Sequence, residues 1–256
     1  MHIVAVTNIK GGVGKTTTCV NLAYLCAAGG RHTLLWDLDP QGAATYTMRC
    51  ESAAHVSAKK LVSGKRDLRD AITDSPYDHL DLLPADFSYR KFDVHLSKRD
   101  SPTESLLKMS HSLKKAYAAL FMDCPPGISL LSENVLRAAD VIVVPLLPTP
   151  LSVRMLLQLR DFLADAGWSD VKLLPFFSMV DRRKSLHVET IASARSVFAS
   201  MLRTEIPYSS EIERMSVRRE PVPAYAPRSM AGQIYASLWS EIAAQMAMPG
   251  GSGAVA

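Results

Sequence analysis

Apolar residues recur along this chain as short continuous runs rather than as alternating ones. They fall at Ile3 to Val6, Thr33 to Trp36, Leu80 to Leu83, Ala118 to Met122, Val141 to Pro145 and Val171 to Phe177, with segments of helical length between most of them. Continuous apolarity of this kind suits strands covered on both faces. Its alternation with helical segments predicts an α/β fold, a mostly parallel, doubly wound sheet flanked by helices and joined by right-handed crossovers. In open sheets of this type the ligand crevice lies beyond the carboxyl ends of the strands. The stretch SPTESLLKMSHSLKKAY from Ser101 reads as a surface helix beginning near Pro102. SMAGQIYASLWSEIAAQMAM, whose one charge is Glu241, reads as a C-terminal helix packed on the body. A single domain over 1–248 accounts for the chain, with PGGSGAVA, 249–256, as a flexible tail.

Between the first strand and the helix-like TTTCVNLAYLCAA stands KGGVGKTTT, Lys10 to Thr18. Gly11, Gly12 and Gly14 let the backbone take positive φ and turn successive N–H groups toward an anion. The helix N-terminus adds its dipole. Lys15 then sets a cation on the terminal phosphates of a nucleotide, and the Thr16 hydroxyl is placed to ligate Mg2+. Val13 and Thr17 belong to the same nucleotide-binding stretch. The P-loop pattern G-x-x-x-x-G-K-[ST] asks for glycine at position 9, where this chain has Ile9, and a second lysine, Lys10, follows it. Read alone, Lys10 is also compatible with a solvated loop lysine.

Acidic residues close two further strands. Asp37 and Asp39 end LLWDLDP, Asp123 ends AALFMDCPP, and the prolines after them turn the chain sharply out of the sheet. A carboxylate beside a triphosphate is tolerable through a cation or a water. Taken singly, each acid is equally readable as a strand-end turn cap. Their joint placement with the glycine loop favours a Mg2+ site.

Composition narrows the class. The 256 residues are 48% hydrophobic, 7% aromatic and 21% charged, near globular averages. Cys19, Cys26, Cys50 and Cys124 have no zinc or redox spacing and read as reduced and structural, Cys124 included despite its place beside Asp123. With no signal peptide and no apolar run of membrane-spanning length, the expected location is cytoplasmic. The net charge of +4 is unevenly spread: Val171 to Met230 holds ten basic residues against six acidic ones, and the remainder balances. That excess makes a nucleic-acid contact a candidate.

KGGVGKTTT, DLDPQG (Asp37 to Gly42) and MDCPPG (Met122 to Gly127) together resemble the deviant Walker P-loop ATPases of the ParA/MinD group. The resemblance extends through VIVVPLLPTPLS, SMVDRRKSLH and IPYSSEIER, nearly the whole chain, with Arg49 to Leu113 the least diagnostic part. It implies a Mg2+-dependent ATP hydrolase with ATP and Mg2+ as cofactors, slow until a partner stimulates it. It assigns Asp123 to the Mg2+ shell through water, Asp37 to support of that shell, and Asp39 to the attacking water. Lys10 becomes a cation offered to the partner's phosphates in an ATP-dependent homodimer. Asp181, Arg183 and Pro207 become neighbours of the adenine, with Ser178 where the family commonly has asparagine; an ordinary strand-end turn is the alternative reading of that segment.

Three uses of such an engine separate on chemistry. ParA-like positioning expects sequence-independent DNA binding, with Arg182, Lys184, Arg214, Arg218 and Arg219 as candidate contacts, and a cargo adaptor or ParB-like activating partner on the nucleoid. Glu211, Glu213 and Glu220 interrupt that patch, and any one of its cations also reads as solvated surface charge. MinD-like membrane targeting expects a basic amphipathic C-terminal helix, whereas the last basic residue here is Arg228. A metal-delivery ATPase expects closely spaced cysteines, which the chain lacks. The ParA-like reading is preferred, with no membrane expected.

Overall fold

All six apolar runs form strands whose ends agree with the sequence pattern to within one residue: β1 (His2–Val6), β2 (Thr33–Asp37), β4 (Leu80–Leu83), β5 (Ala119–Asp123), β6 (Val141–Leu146) and β7 (Lys172–Phe177). The pattern missed β3 (Thr73–Asp74), too short to carry an apolar signature. The computed structural model describes residues 1–50 and 56–248, so the expected tail at 249–256 lies outside the described residues. The strand order is β3-β4-β2-β5-β1-β6-β7, parallel throughout except for β3, which runs antiparallel at the edge.

The helices, in chain order, are α1 (Lys15–Ala28), α2 (Ala43–Thr47), α3 (Ala58–Val62), α4 (Phe92–Leu96), α5 (Ser105–Ser110) and α6 (Leu130–Ala138). After them come α7 (Pro150–Asp165), α8 (Ser185–Val197), α9 (Ser210–Glu213), α10 (Met215–Arg218), α11 (Val222–Tyr225) and α12 (Met230–Gln245). Successive strand residues point to opposite faces, so β1 sends Ile3 and Ala5 into one core and Val4 and Val6 into the other. The first core is closed by α3 to α8. The second lies under α1 and α12, where Leu22 and Cys26 meet Tyr235, Leu238 and Ile242, as expected for a C-terminal helix packed on the body. Each fully buried large side chain of this kind stabilises the fold by about 1.5–3 kcal/mol.

One expected helix is broken. The segment from Ser101 begins at Pro102 as anticipated, but as a 3-10 turn, Pro102–Glu104, followed by α5 and a second 3-10 turn, His111–Leu113. Serines explain the break: the Ser110 hydroxyl donates to the Leu107 carbonyl at 2.8 Å and that of Ser112 to the Met109 carbonyl at 3.1 Å, competing with the helical ladder. The segment is also less superficial than its charge suggested, because Leu106 and Leu113 are fully buried.

Candidate functional site

β1 ends at Val6, and the chain then turns through Thr7 to Gly14 into α1. Gly12 (φ 69°) and Gly14 (φ 88°) take the left-handed conformation expected of the loop, while Gly11 does not, and a Cβ there would meet Pro126 only at an ordinary contact distance of 4.0 Å. No side chain caps α1. Its first N–H groups therefore remain available to an anion. Asn8 fastens the loop to the sheet: its amide donates to the Pro145 carbonyl at 2.7 Å and its Oδ1 accepts from the Lys10 N–H at 2.9 Å. Gly127 N–H donates to the Ile9 carbonyl at 3.0 Å, joining the turn after β5 to the same loop.

Lys15 is buried under this loop, its Nζ donating to the Lys10 carbonyl at 3.1 Å. Burial pulls its pKa down, opposed by the charges of Asp123, Cys124 and Asp39. The side chain of Lys10 makes no ion pair with any described residue.

β2 and β5 are neighbours in register, with Asp37 opposite Asp123 at the carboxyl ends of both strands. Both carboxylates are fully buried. Burial, then the negative charge of Asp37, pushes Asp123 well above the usual carboxylate range; Thr16 and Lys15 act in the opposite sense. The Thr16 hydroxyl stands near Asp123 without meeting hydrogen-bond geometry, so both Asp123 oxygens are left with no hydrogen-bond donor. Asp37 is pushed up to about 6 by burial, against the donors Thr45 and Asp39 N–H. Asp39, two residues beyond the strand, accepts from the Gln41 N–H at 2.9 Å.

An orphaned buried carboxylate facing a threonine hydroxyl and a lysine fits a hard divalent cation. Among the described residues no three carboxylate, imidazole or thiolate groups converge to cage a metal unaided. That is the arrangement suited to Mg2+, which keeps several waters and takes phosphate oxygens as ligands. Thr16, Asp123 and, behind them, Asp37 are the residues that would hold it. When bound, the ion would neutralise phosphate charge in a site that otherwise concentrates negative charge.

Thr45 escaped the sequence reading. Its N–H and hydroxyl both donate to Asp37 Oδ2, at 2.8 and 2.7 Å, while its hydroxyl oxygen accepts from the Ala85 N–H at 2.9 Å. Since the Thr45 N–H donates to the same oxygen, Thr45 holds Asp37 as an acceptor. The available signal was a threonine one turn beyond DLDPQG, where α2 begins. Thr45→Val should raise the Mg2+ concentration needed for half-maximal ATP turnover by about tenfold, and Thr45→Ser should restore it. Magnesium titrations that coincide for both variants would uncouple Thr45 from Asp37.

The expected base-side residues separate. Pro207 lines a cleft with Gly14, Thr17, Ser178, Tyr208 and Ile212, and pairs with Val180 in an isolated parallel bridge. Ser178 Oγ stands 3.2 Å from where a Cβ on Gly14 would sit, so loop and cleft touch. Asp181 and Arg183 lie outside this lining and grip one another through two bonds of 2.9 Å, which holds the Asp181 carboxyl down at about 2.

The basic candidates separate too. Arg214 and Lys184 are exposed and without ion pairs among the described residues, whereas Arg182 is bonded to Glu205 at 2.7 Å. Arg214, Arg218 and Arg219 lie on or at the ends of α10: Arg214 caps its start, where α9 also ends, and Arg219 caps its end in the left-handed region, φ 55°. Arg219 donates to the Tyr46 carbonyl at 2.8 Å and lies over the Tyr46 ring at 4.4 Å. Arg49, also left-handed, answers by donating to the carbonyls of Arg218 at 2.9 Å and Arg219 at 3.2 Å and by pairing with Glu220.

A glycine loop between a strand and a helix N-terminus, a buried lysine beneath it and an orphaned carboxylate at the next strand end define a P-loop nucleotide-binding protein. A family profile described as an AAA domain matches residues 1–167. The sporulation initiation inhibitor protein Soj of Bacillus subtilis is 31% identical over 252 residues, covering 94% of this chain and 98% of the relative. In fold, the chain resembles cobyrinic acid a,c-diamide synthase of Mycobacterium smegmatis, solved with bound ADP and magnesium (TM-score 0.81, 24% identity, 96% of each chain). It also resembles the septum site-determining protein MinD of Pyrococcus horikoshii, solved with Mg-ADP (TM-score 0.79, 22% identity, 94% of this chain and 95% of that one). The chain belongs to the ParA/MinD-type deviant Walker P-loop ATPases.

Proposed function

We propose that this protein is a ParA-like partitioning ATPase: it hydrolyses ATP with Mg2+, pairs with a second copy in the ATP state, binds DNA without reading its sequence, and positions a cargo whose adaptor stimulates hydrolysis. Its expected place is the nucleoid in the cytoplasm. The observation that carries this reading is Lys10. Its backbone is pinned on both sides, through Asn8 and Lys15, while its ammonium has no carboxylate partner among the described residues. A cation held this way completes a phosphate site when another copy presents its own. An apolar cleft lined by Ile9, Ile128, Leu159 and Phe162 opens beside the loop, with Ile128 74% exposed, and supplies a face for that copy.

Membrane attachment finds less support, since Tyr235, Leu238, Trp239 and Ile242 of α12 are already buried against the body and no described helix is long and apolar enough to cross a membrane. Metal delivery finds less again: all four cysteines are free, and Cys19, Cys26 and Cys124 are buried.

The test is the order of the reaction. ATP turnover per molecule should rise with protein concentration, and light scattering should double the mass with a non-hydrolysable ATP analogue but not with ADP. A monomer under both nucleotides, with turnover per molecule independent of concentration, refutes the reading.

A further inference from the structure

Part of the basic excess in the C-terminal region is already engaged within the fold. Arg182 and Arg195 flank the Glu205 carboxylate at 2.7 and 2.9 Å, Arg183 is bound to Asp181, and Arg218 and Arg219 lie over the rings of Tyr225 and Tyr46. A second group of cations stands on α3, the 3-10 turn Phe87–Lys91 and α4. Lys59 and Lys60 lie on α3, Arg90 and Lys91 close the turn, and Lys98 and Arg99 follow α4. All six are exposed, and none forms an ion pair with a described residue.

Lys59, Lys91 and Lys98 gather around His95, and the elements that carry all six cations pack together. The Ala58 N–H at the start of α3 donates to Ser88 Oγ in the turn at 2.9 Å, and α3 packs against both the turn and α4. His95 lies among them: burial, then the charges of Lys98, Lys59 and Lys91, holds its imidazole below the ordinary range. Three acids are interspersed. Asp93 accepts from the Leu131 N–H at 2.7 Å, Asp86 caps the turn by accepting from the Ser88 N–H at 2.8 Å, and Asp100 is exposed. Six cations therefore stand against three acids, two of which already serve the backbone. Phe87, 67% exposed, carries the Arg90 guanidinium 3.9 Å above its ring.

We propose that this α3–α4 face, through Lys59, Lys60, Arg90, Lys91, Lys98 and Arg99, is a contact surface for the phosphate backbone of duplex DNA, separate from the C-terminal basic segment. The inference rests on the reading of DNA as partner given above and says where the backbone lies. Four of the six are lysines, point charges on long stems, spread over three short elements. That distribution follows a row of phosphates and offers no deep pocket for one carboxylate or peptide side chain. A membrane surface would ask for a continuous apolar stripe, and the large apolar side chains exposed on these elements are Phe87 and Val94. The face also begins where the catalytic end of the sheet does. Ala85, whose N–H reaches Thr45 and through it Asp37, stands immediately before Asp86 and Phe87.

The experiment measures fluorescence anisotropy of a labelled random-sequence duplex with the full chain, Mg2+ and a non-hydrolysable ATP analogue, across a salt series. Two combined variants are compared with the parent: Lys59→Gln, Lys60→Gln, Lys91→Gln and Lys98→Gln on the α3–α4 face, and Lys184→Gln with Arg214→Gln in the C-terminal segment. The α3–α4 variant should bind at least about tenfold more weakly and lose about 3.6 units of the log–log salt slope, at roughly 0.9 for each of four phosphate contacts removed. Circular dichroism melting confirms that it folds; if it does not, the four single Lys→Gln changes, each lowering the slope by about 0.9, carry the test. Parental affinity and slope in the α3–α4 variants, with loss confined to the C-terminal variant, overturn this surface and leave DNA as the partner. A parent that ignores duplex at low salt overturns the DNA reading and this inference with it. Lysine-dependent binding to phosphatidylglycerol vesicles in place of duplex overturns it in favour of a membrane.

Discussion

Lys10→Ala is expected to lower ATP turnover by about 10³-fold while leaving nucleotide binding intact, because a cation that completes a phosphoryl-transfer site from a second copy is worth that much in rate. The geometry separates it from its neighbour. Lys15 lies buried beneath the loop and is part of the cradle itself, so Lys15→Ala should lose binding and turnover together. Lys10 lends the loop its backbone, and Lys15 uses its carbonyl, so removing the Lys10 side chain spares the contacts that hold the cradle. Fluorescent-nucleotide titration beside a turnover assay distinguishes the two. A Lys10→Ala protein that hydrolyses ATP at the parental rate would remove the reason for regarding this loop as half of a shared site.

Gly232→Ala should destabilise the protein by about 2–3 kcal/mol, lowering the melting temperature by roughly 5–10 °C. Ordinarily glycine to alanine inside a helix stabilises by up to about 1 kcal/mol, so the sign is diagnostic. Here the first turn of α12 presses on the chain that precedes it: a Cβ on Gly232 would collide with the Ala226 carbonyl oxygen and come within 2.9 Å of that of Pro227. Backbone atoms, unlike the end of a flexible side chain, yield little. The helix would lift from its seat against α1, exposing Tyr235 and Leu238. Thermal melting followed by circular dichroism measures it, and a midpoint within about 2 °C of the parent would mean that the 226–227 turn relaxes freely.

How far the fold was legible follows from burial. Strands covered on both faces are apolar throughout, so β1, β2, β4, β5, β6 and β7 announced themselves. The edge strand β3, two residues long, had no face to declare. The phosphate loop was legible because its chemistry is local: glycines, a lysine and a threonine act within nine residues. What the sequence hid was pairing over distance. Arg182 meets a carboxylate 23 residues away, Arg49 meets one 171 away, and Ala85 reaches Thr45 across 40. Basic residues counted along the chain pointed to the C-terminal segment alone, and the fold adds α3 and α4, whose neighbouring cations are exposed and without an ion pair among the described residues. Likewise Asp181 and Arg183 sit beside the residues of the base-side cleft in sequence but satisfy each other in space.

The reciprocal grip of Arg49 and Arg219 has a mechanical meaning. Two non-glycine residues held in the left-handed region at about 1–2 kcal/mol each need bracing, and here Arg49 donates to the carbonyls of Arg218 and Arg219 while Arg219 donates to that of Tyr46. The end of α2 and the end of α10 are therefore a single rigid link. One arm of it carries Thr45 and the strand-end acids, and the other leads back to Ile212 at the base-side cleft. A displacement of either end is thereby opposed by hydrogen bonds from the other, so the segment that bears Thr45 and the one that leads back to Ile212 are laced together through their backbones rather than free to drift apart.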